Sequence, residues 1–155
     1  MQKRYKLVAT GGTFDVIHRG HLALLTKAFG VSESVIIGVT SDKMAAELGK
    51  KIINNYDVRI SNLSKMLNSM FKNRKYEIKQ LSEDFGPALY TNNVEALIAS
   101  KETDHKGTLL NKLRAEKGLK PVDVVTVDLI LAKDGKRISS TRIRSGEIDA
   151  EGNLI

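Results

Sequence analysis

Leu7-Val8-Ala9-Thr10-Gly11-Gly12-Thr13-Phe14-Asp15-Val16-Ile17-His18-Arg19-Gly20-His21 is the stretch that decides the fold. Tyr5 to Thr10 is apolar and β-branched enough for a buried parallel strand, and it runs into a glycine turn. From His21 to Phe29 the apolar residues stand at 22, 24, 25, 28 and 29, one helical face, which Gly30 closes. Ser34 to Thr40 is a second continuous apolar run. Strand, helix and strand in so short a span predict a βαβ unit with a right-handed crossover. Two imidazoles then stand at one helix N-terminus, where backbone N–H groups lack intrahelical partners and the helix dipole favours an anion. That corner is a phosphate site in outline.

Further along, Ser41 to Asp57 is rich in Lys, Gly and Asn and reads as a mobile connection with one helical turn. Val58 to Lys72 places Ile60, Leu63, Leu67, Met70 and Phe71 on one helical face, and Tyr76 to Leu81 alternates as a strand. A turn over Glu83 to Pro87 leads to a short helix start at Pro87 to Tyr90. Val94 to Ala99 is a fourth strand, although its composition suits a helix too. Asp104 to Lys117 is a polar helix closed by Gly118, Val122 to Leu131 a strongly β-branched strand, and Arg137 to Gly146 leads into a final short helix. The alternation predicts an α/β fold with a doubly wound, Rossmann-like parallel sheet of five strands, its ligand site beyond the strands' carboxyl ends.

Length and composition narrow the function. The 155 residues suit a single domain, 1–155, with a real core. No apolar run approaches the ~18–20 residues that cross a bilayer, and the N-terminus enters a strand directly, leaving no room for a signal peptide. With no cysteine there is no disulfide framework, thiolate nucleophile or Cys-ligated zinc. The expected location is the cytoplasm. A net charge of +7 raises the question of nucleic acid, but the lysines are scattered and only 5% of residues are aromatic, too few for a base-stacking platform. A surface that attracts polyanionic small molecules explains the charge as well. The same charge argues mildly against tight self-association and so favours a monomer.

His18 and His21, three apart, project in similar directions and can donate to phosphate oxygens, while Gly20 lets a ligand approach the backbone. Zinc is the rival reading, but it asks for a third protein ligand and none is obvious nearby. Thr13, after Gly11 and Gly12, offers a hydroxyl and an N–H. Ile138-Ser139-Ser140-Thr141-Arg142-Ile143-Arg144 is the second strong feature: three hydroxyls before a helix start make an N-cap whose free N–H groups suit phosphate. Arg142 and Arg144 add charge there, one of them expected to be solvated. Lys43 lies just past the second strand, at the ligand edge, and His105 falls in a charged surface stretch.

Gly12-Thr13-Phe14-Asp15 with His18-Arg19-Gly20-His21 resembles the signature of the HxGH nucleotidyltransferases, which transfer AMP or CMP from a nucleoside triphosphate to a phosphate group. Ile138 to Arg144 resembles the same superfamily's ISSTxIR-type motif, which grips the triphosphate. Ser100-Lys101-Glu102-Thr103 with Gly107 to Arg114 resembles the S-x-E-T…N-x-x-R block of phosphopantetheine adenylyltransferases of the archaeal and eukaryotic type. That similarity spans Leu7 to about Ile148 and departs from the pattern at Ala99 and Leu110. It implies transfer of AMP from ATP to 4′-phosphopantetheine, giving dephospho-coenzyme A and pyrophosphate.

By this resemblance His18, His21 and Lys43 are catalytic. Gly11, Gly12, Thr13, Phe14, His21, Ser139, Ser140, Thr141 and Arg142 bind the nucleotide. Lys43, Arg59, Thr103, Asn111 and Arg114 line the substrate pockets. Mg²⁺ accompanies ATP, held by phosphate oxygens and water rather than by protein ligands. Two enzyme alternatives share both end motifs, a cytidylyltransferase for an alcohol phosphate and an FMN adenylyltransferase. A nucleotide-binding regulator without catalysis is the third.

Overall fold

Val8, buried on both sides, sits in the central strand of a five-stranded parallel sheet in the computed structural model, which describes residues 4–83, 85–86, 88 and 91–155. The strands are β1 (Tyr5–Gly12), β2 (Ser32–Thr40), β3 (Lys75–Leu81), β4 (Ala96–Ser100) and β5 (Asp123–Val127). Their order is β3-β2-β1-β4-β5, and every neighbouring pair is parallel. Strand order reverses at β1, so a crevice opens beyond the carboxyl ends of β1, β2 and β4, where doubly wound sheets bind ligands. The five parallel strands are those the sequence predicts.

Helices α1 (Arg19–Val31), α2 (Asp42–Glu47), α3 (Tyr56–Met70), α4 (Lys106–Glu116) and α5 (Ser140–Arg144) connect and follow the strands. Leu25, Ala28 and Phe29 of α1 and Leu63 and Leu67 of α3 pack with Val8, Val35, Ile37 and Val39 on one face of the sheet. Leu110 of α4 packs with Ala9, Ile36 and Val122 on the other. Each fully buried Leu or Phe of these layers contributes about 1.5–3 kcal/mol through apolar area removed from water.

Three boundaries differ from the sequence reading, each for a local reason. Gly30 does not close α1, which continues to Val31. Its last carbonyls are met instead by the Ser32 hydroxyl, donating to Ala28 O at 2.7 Å, and by Arg74, donating to Phe29 O at 2.6 Å and Ser32 O at 3.0 Å. A Cβ at Gly30 would meet nothing within 4 Å. Gly30→Ala is therefore expected to raise stability by about 0.5–1 kcal/mol, read as a higher denaturant midpoint.

The connection at 41–57 holds the six-residue α2, capped by Ser41, and α3 starts two residues before Val58 because Asn55 caps it. β5 stops at Val127 rather than Leu131. Beyond it the chain turns back, Ile138 N–H donating to Ile130 O at 2.9 Å, and Ala132, Ile138 and Ile148 form a small cluster of their own. The β-branched composition served that cluster as well as it would a strand. Gly118, at φ +72°, does terminate α4 in the left-handed conformation. The helix start expected at Pro87 to Tyr90 falls on residues 87, 89 and 90, outside the described residues. No helix among the described residues is long and apolar enough to cross a membrane.

Candidate active site

His18 is the N-cap of α1, and the two histidines cap the helix reciprocally. His18 Nδ1 accepts from Gly20 N–H at 3.0 Å, and His21 Nδ1 accepts from His18 N–H at 3.2 Å. Each ring spends its δ nitrogen as an acceptor, so in the neutral form its proton sits on Nε2. The rings stack with centroids 3.9 Å apart, and Phe14 packs on His21 at 4.8 Å. Phe14 holds φ +52°, costly for an aromatic residue, and its ring is almost wholly buried. Gly20 is required here, since a Cβ would stand 2.8 Å from the His18 ring.

Burial pushes the His18 imidazole down to about 4, with Arg137 adding repulsion, and burial followed by repulsion from His18 and Lys50 pushes His21 down to about 3. Both rings are neutral Nε2–H donors at neutral pH. Unfolded histidines titrate near the ordinary value of 6.5, so between that value and about 4 the unfolded chain binds more protons than the folded one. Unfolding free energy is expected to fall as pH drops through this window, measured by denaturant titration at several pH values. His18→Gln should flatten the slope. An unchanged slope in that variant would assign the acid sensitivity to other groups.

The second motif lies across the crevice. Ser139 caps α5 by accepting from Arg142 N–H at 3.2 Å, and Ser140 Oγ donates to Val16 O at 3.0 Å. The two terminal motifs of the sequence are thus hydrogen-bonded to each other across 124 residues. Thr13, His18, His21, Ser139, Ser140 and Thr141 line one cavity of about 490 Å³, together with Lys50, Lys106, Arg137 and Arg144. Its size suits a small-molecule site, and its four cations outnumber the two carboxylates of the lining, Glu102 (paired with Arg137 at 2.9 Å) and Asp128, which suits a polyanion.

Lys50 is the site residue that sequence reasoning missed. Its Nζ donates to Thr13 Oγ1 at 2.9 Å. Desolvation at the cavity wall, then Lys106, Arg144 and Arg137, lower its pKa from the ordinary lysine value. Lys43, exposed on α2, does not line the cavity, whereas Lys50, also exposed, does. The difference lies in the chain's return: Gly49, at φ +76°, reverses direction after α2 and brings Lys50 back over Thr13.

Other expected residues take structural places. Arg59 is fully buried and lies off the cavity wall. It donates to Asn54 O at 3.0 Å, to Thr13 O at 2.8 Å and to Asp42 at 2.8 Å, fixing the loops that carry Lys50 and Thr13. Arg142 is turned away from the cavity, its guanidinium engaged by Asp134, Glu147 and the carbonyls of Lys136 and Arg137. Arg144 is the arginine of this motif that reaches the cavity.

Thr103 lines the cavity, whereas Asn111 and Arg114 do not. Asn111 clamps the start of β5, pairing with both backbone groups of Val122 at 2.9 and 2.7 Å. Arg114, fully buried, donates to Ala88 O at 2.5 Å, Thr91 O at 3.1 Å and Lys120 O at 2.8 Å. Arg114→Met would leave those carbonyls without their donor. The expected loss is about 3 kcal/mol, seen as a lower Tm, with turnover at low temperature close to wild type. Full stability in this variant would show that the three bonds are replaceable by water.

The model of the cytidylyltransferase-like family matches residues 9–146. A phosphopantetheine adenylyltransferase from Methanothermobacter thermautotrophicus is 43% identical over 155 residues, covering 100% of this chain and 93% of the relative. One of the same name from Pyrococcus furiosus is 43% identical over 157 residues, covering 100% of this chain and 97% of the relative. Among solved structures, a protein of unknown function from Archaeoglobus fulgidus superposes with a TM-score of 0.70 at 30% identity, covering 80% of this chain and 99% of that one. A lipopolysaccharide core biosynthesis protein from Thermoplasma volcanium, at 19% identity and a TM-score of 0.65, shares the fold over 79% of this chain and 95% of its own. With a stacked histidine pair at the head of α1, a hydroxyl-rich cap opposite and a family model spanning both, the chain belongs to the cytidylyltransferase-like family of nucleotidyltransferases.

Proposed function

We propose that this protein is a cytoplasmic adenylyltransferase that moves AMP from ATP to 4′-phosphopantetheine, forming dephospho-coenzyme A and pyrophosphate. The observation that carries the reading is the cavity itself, where Thr13, His18, His21, Lys50 and Ser139 to Thr141 converge at the carboxyl ends of the strands. The names of the archaeal relatives supply the acceptor.

An oxygen of the phosphopantetheine phosphate attacks the α-phosphorus of ATP in line, and the bond from that phosphorus to the bridging oxygen of the β-phosphate breaks. The nucleophile is already anionic, so the site needs no activated side chain. Catalysis is positioning and charge stabilisation. His18 and His21 donate from Nε2 to the α- and β-phosphates, beside Thr13. Lys50 takes the role that the family resemblance implies for Lys43, spanning acceptor phosphate and α-phosphate. Ser139, Ser140 and Thr141, with Arg144 in place of Arg142, hold the β- and γ-phosphates.

Bound magnesium would offset part of the triphosphate's charge, held by phosphate oxygens and water. The cavity's donors are hydroxyls, imidazoles and cations, which fit phosphate oxygens, and among the described residues no three His, Cys, Asp or Glu side chains converge on a metal position. Thr103 and the wall at 127–130 face the nucleoside. Met44, Leu48, Leu81, Phe85 and Ala88 give the β2–β3 side an apolar wall for the uncharged arm of the acceptor.

The test is pyrophosphate release with ATP, magnesium and 4′-phosphopantetheine, beside FMN with ATP and glycerol 3-phosphate with CTP. Release with the first set alone is the expected result. Release with another pair would keep the site and change the acceptor. No release with any pair would favour a nucleotide-binding regulator.

A further inference from the structure

Asp15 stands off the cavity wall, only 2% exposed, and its carboxylate is saturated by donors from two distant segments. Oδ1 accepts from Asn54 N–H at 2.9 Å; Oδ2 accepts from Ile53 N–H at 3.0 Å and from Arg144 Nη1 at 2.7 Å. Burial alone would raise this carboxyl, but the two backbone donors and the guanidinium outweigh it and hold its pKa below the ordinary value. The first segment is the loop that carries Lys50, three and four residues upstream of these donors. The second is the end of α5, where Arg144 also donates from Nη2 to Thr141 Oγ1 at 3.1 Å and lines the cavity.

The Lys50 loop has little apolar anchoring of its own, since Leu48 is 53% and Ile53 66% exposed. Hydrophobic burial therefore cannot set its position, and polar bonds must. Besides the two N–H donors, Asn54 Nδ2 donates to Asp15 O at 2.9 Å and Arg59 holds Asn54 O. The Asp15 carboxylate is where this loop meets the second motif.

We propose that Asp15 is a positioning residue that couples polyphosphate binding at Ser139 to Thr141 with the placement of Lys50, through Arg144. The inference rests on the phosphate site of the proposed function. A polyphosphate gripping Thr141 and Arg144 fixes the guanidinium on Asp15. The fully compensated carboxylate then holds Ile53 and Asn54, and Lys50 with them. Such coupling is reciprocal, so a released loop also weakens the polyphosphate's hold.

Amide hydrogen exchange with saturating inorganic pyrophosphate and magnesium tests it. In the wild-type protein, exchange at Ile53 and Asn54 is expected to slow by about tenfold, the lower range of allosteric couplings, together with exchange at Arg142, whose N–H is held by Ser139. Arg144→Gln, at pyrophosphate levels that still protect Arg142, is expected to lose the slowing at Ile53 and Asn54. Equal slowing in that variant would overturn the coupling and show that Lys50 fixes the loop by touching the ligand directly. Protection of Arg142 alone in the wild type would also overturn it. Protection at neither place would overturn the phosphate reading, and the coupling with it. A kinetic cycle gives a second readout. If Arg144 acts partly through Lys50, Lys50→Met should cost several-fold less kcat in Arg144→Gln than in wild type, whereas independent roles would make the losses multiply.

Discussion

Lys50→Met is expected to lower kcat by about 10²–10³, the range for removing one donor aimed at developing charge. Methionine keeps the unbranched stem and deletes only the ammonium. Lys50 is exposed and donates a hydrogen bond to Thr13 Oγ1 at 2.9 Å, so the folded state should survive its loss with little change in Tm. The loss should fall on the chemical step more than on ATP binding, because Lys106, Arg137 and Arg144 still line the cavity. Lys43→Met is the matched control: the same change on the exposed face of α2 should leave turnover near wild type. Steady-state pyrophosphate release on the two variants decides the matter. A large loss in Lys43→Met with none in Lys50→Met would restore the assignment first made from sequence.

His18 caps α1 through Nδ1 and, in the proposed mechanism, donates to phosphate from Nε2, and substitution can separate the two. His18→Ala removes the Nε2–H donor and also the Nδ1 acceptor that caps α1. Turnover should drop by about 10²–10³, and stability by about 1 kcal/mol for the lost cap. His18→Asn restores an acceptor for Gly20 N–H, since asparagine is among the best N-caps, but its short amide cannot reach where Nε2 pointed. The expected result is recovered stability with turnover still low. If both variants turned over normally, His18 would be a cap and nothing more. If His18→Asn recovered stability and activity together, the catalytic loss in His18→Ala would trace to a displaced helix end.

The pattern of success along the chain has a physical reading. The glycine turn, the Ser139 cap and the buried runs of β1 and β2 are set by residues within a few positions of one another, and each was legible, whereas the reciprocal His18–His21 cap came with the structure. The S-x-E-T…N-x-x-R block pointed to the family, but two of its three residues expected at the substrate pockets lie off the cavity. Asn111 and Arg114 hold Val122 and the carbonyls of Ala88 and Thr91 through backbone bonds, while Thr103 alone of the three reaches the cavity. A family pattern marks residues that the shared fold needs as readily as those that touch substrate. In the second motif, Asp134 and Glu147 claim Arg142, and Asp15, 129 residues away, claims Arg144. Neither partner is visible in Ile138 to Arg144 itself.

The sequence by itself determined the βαβ opening, the parallel sheet and the two polar corners at helix starts, because periodicity, capping and turn chemistry are local interactions, and its resemblance to a known family supplied the kind of reaction. Only the tertiary structure decided which lysine stands over Thr13, which arginine faces the cavity and which polar residues are staples. Those outcomes depend on where loops return in space. Here the returns are fixed by buried long-range bonds from Asp15 and Arg59, which no spacing along the chain encodes.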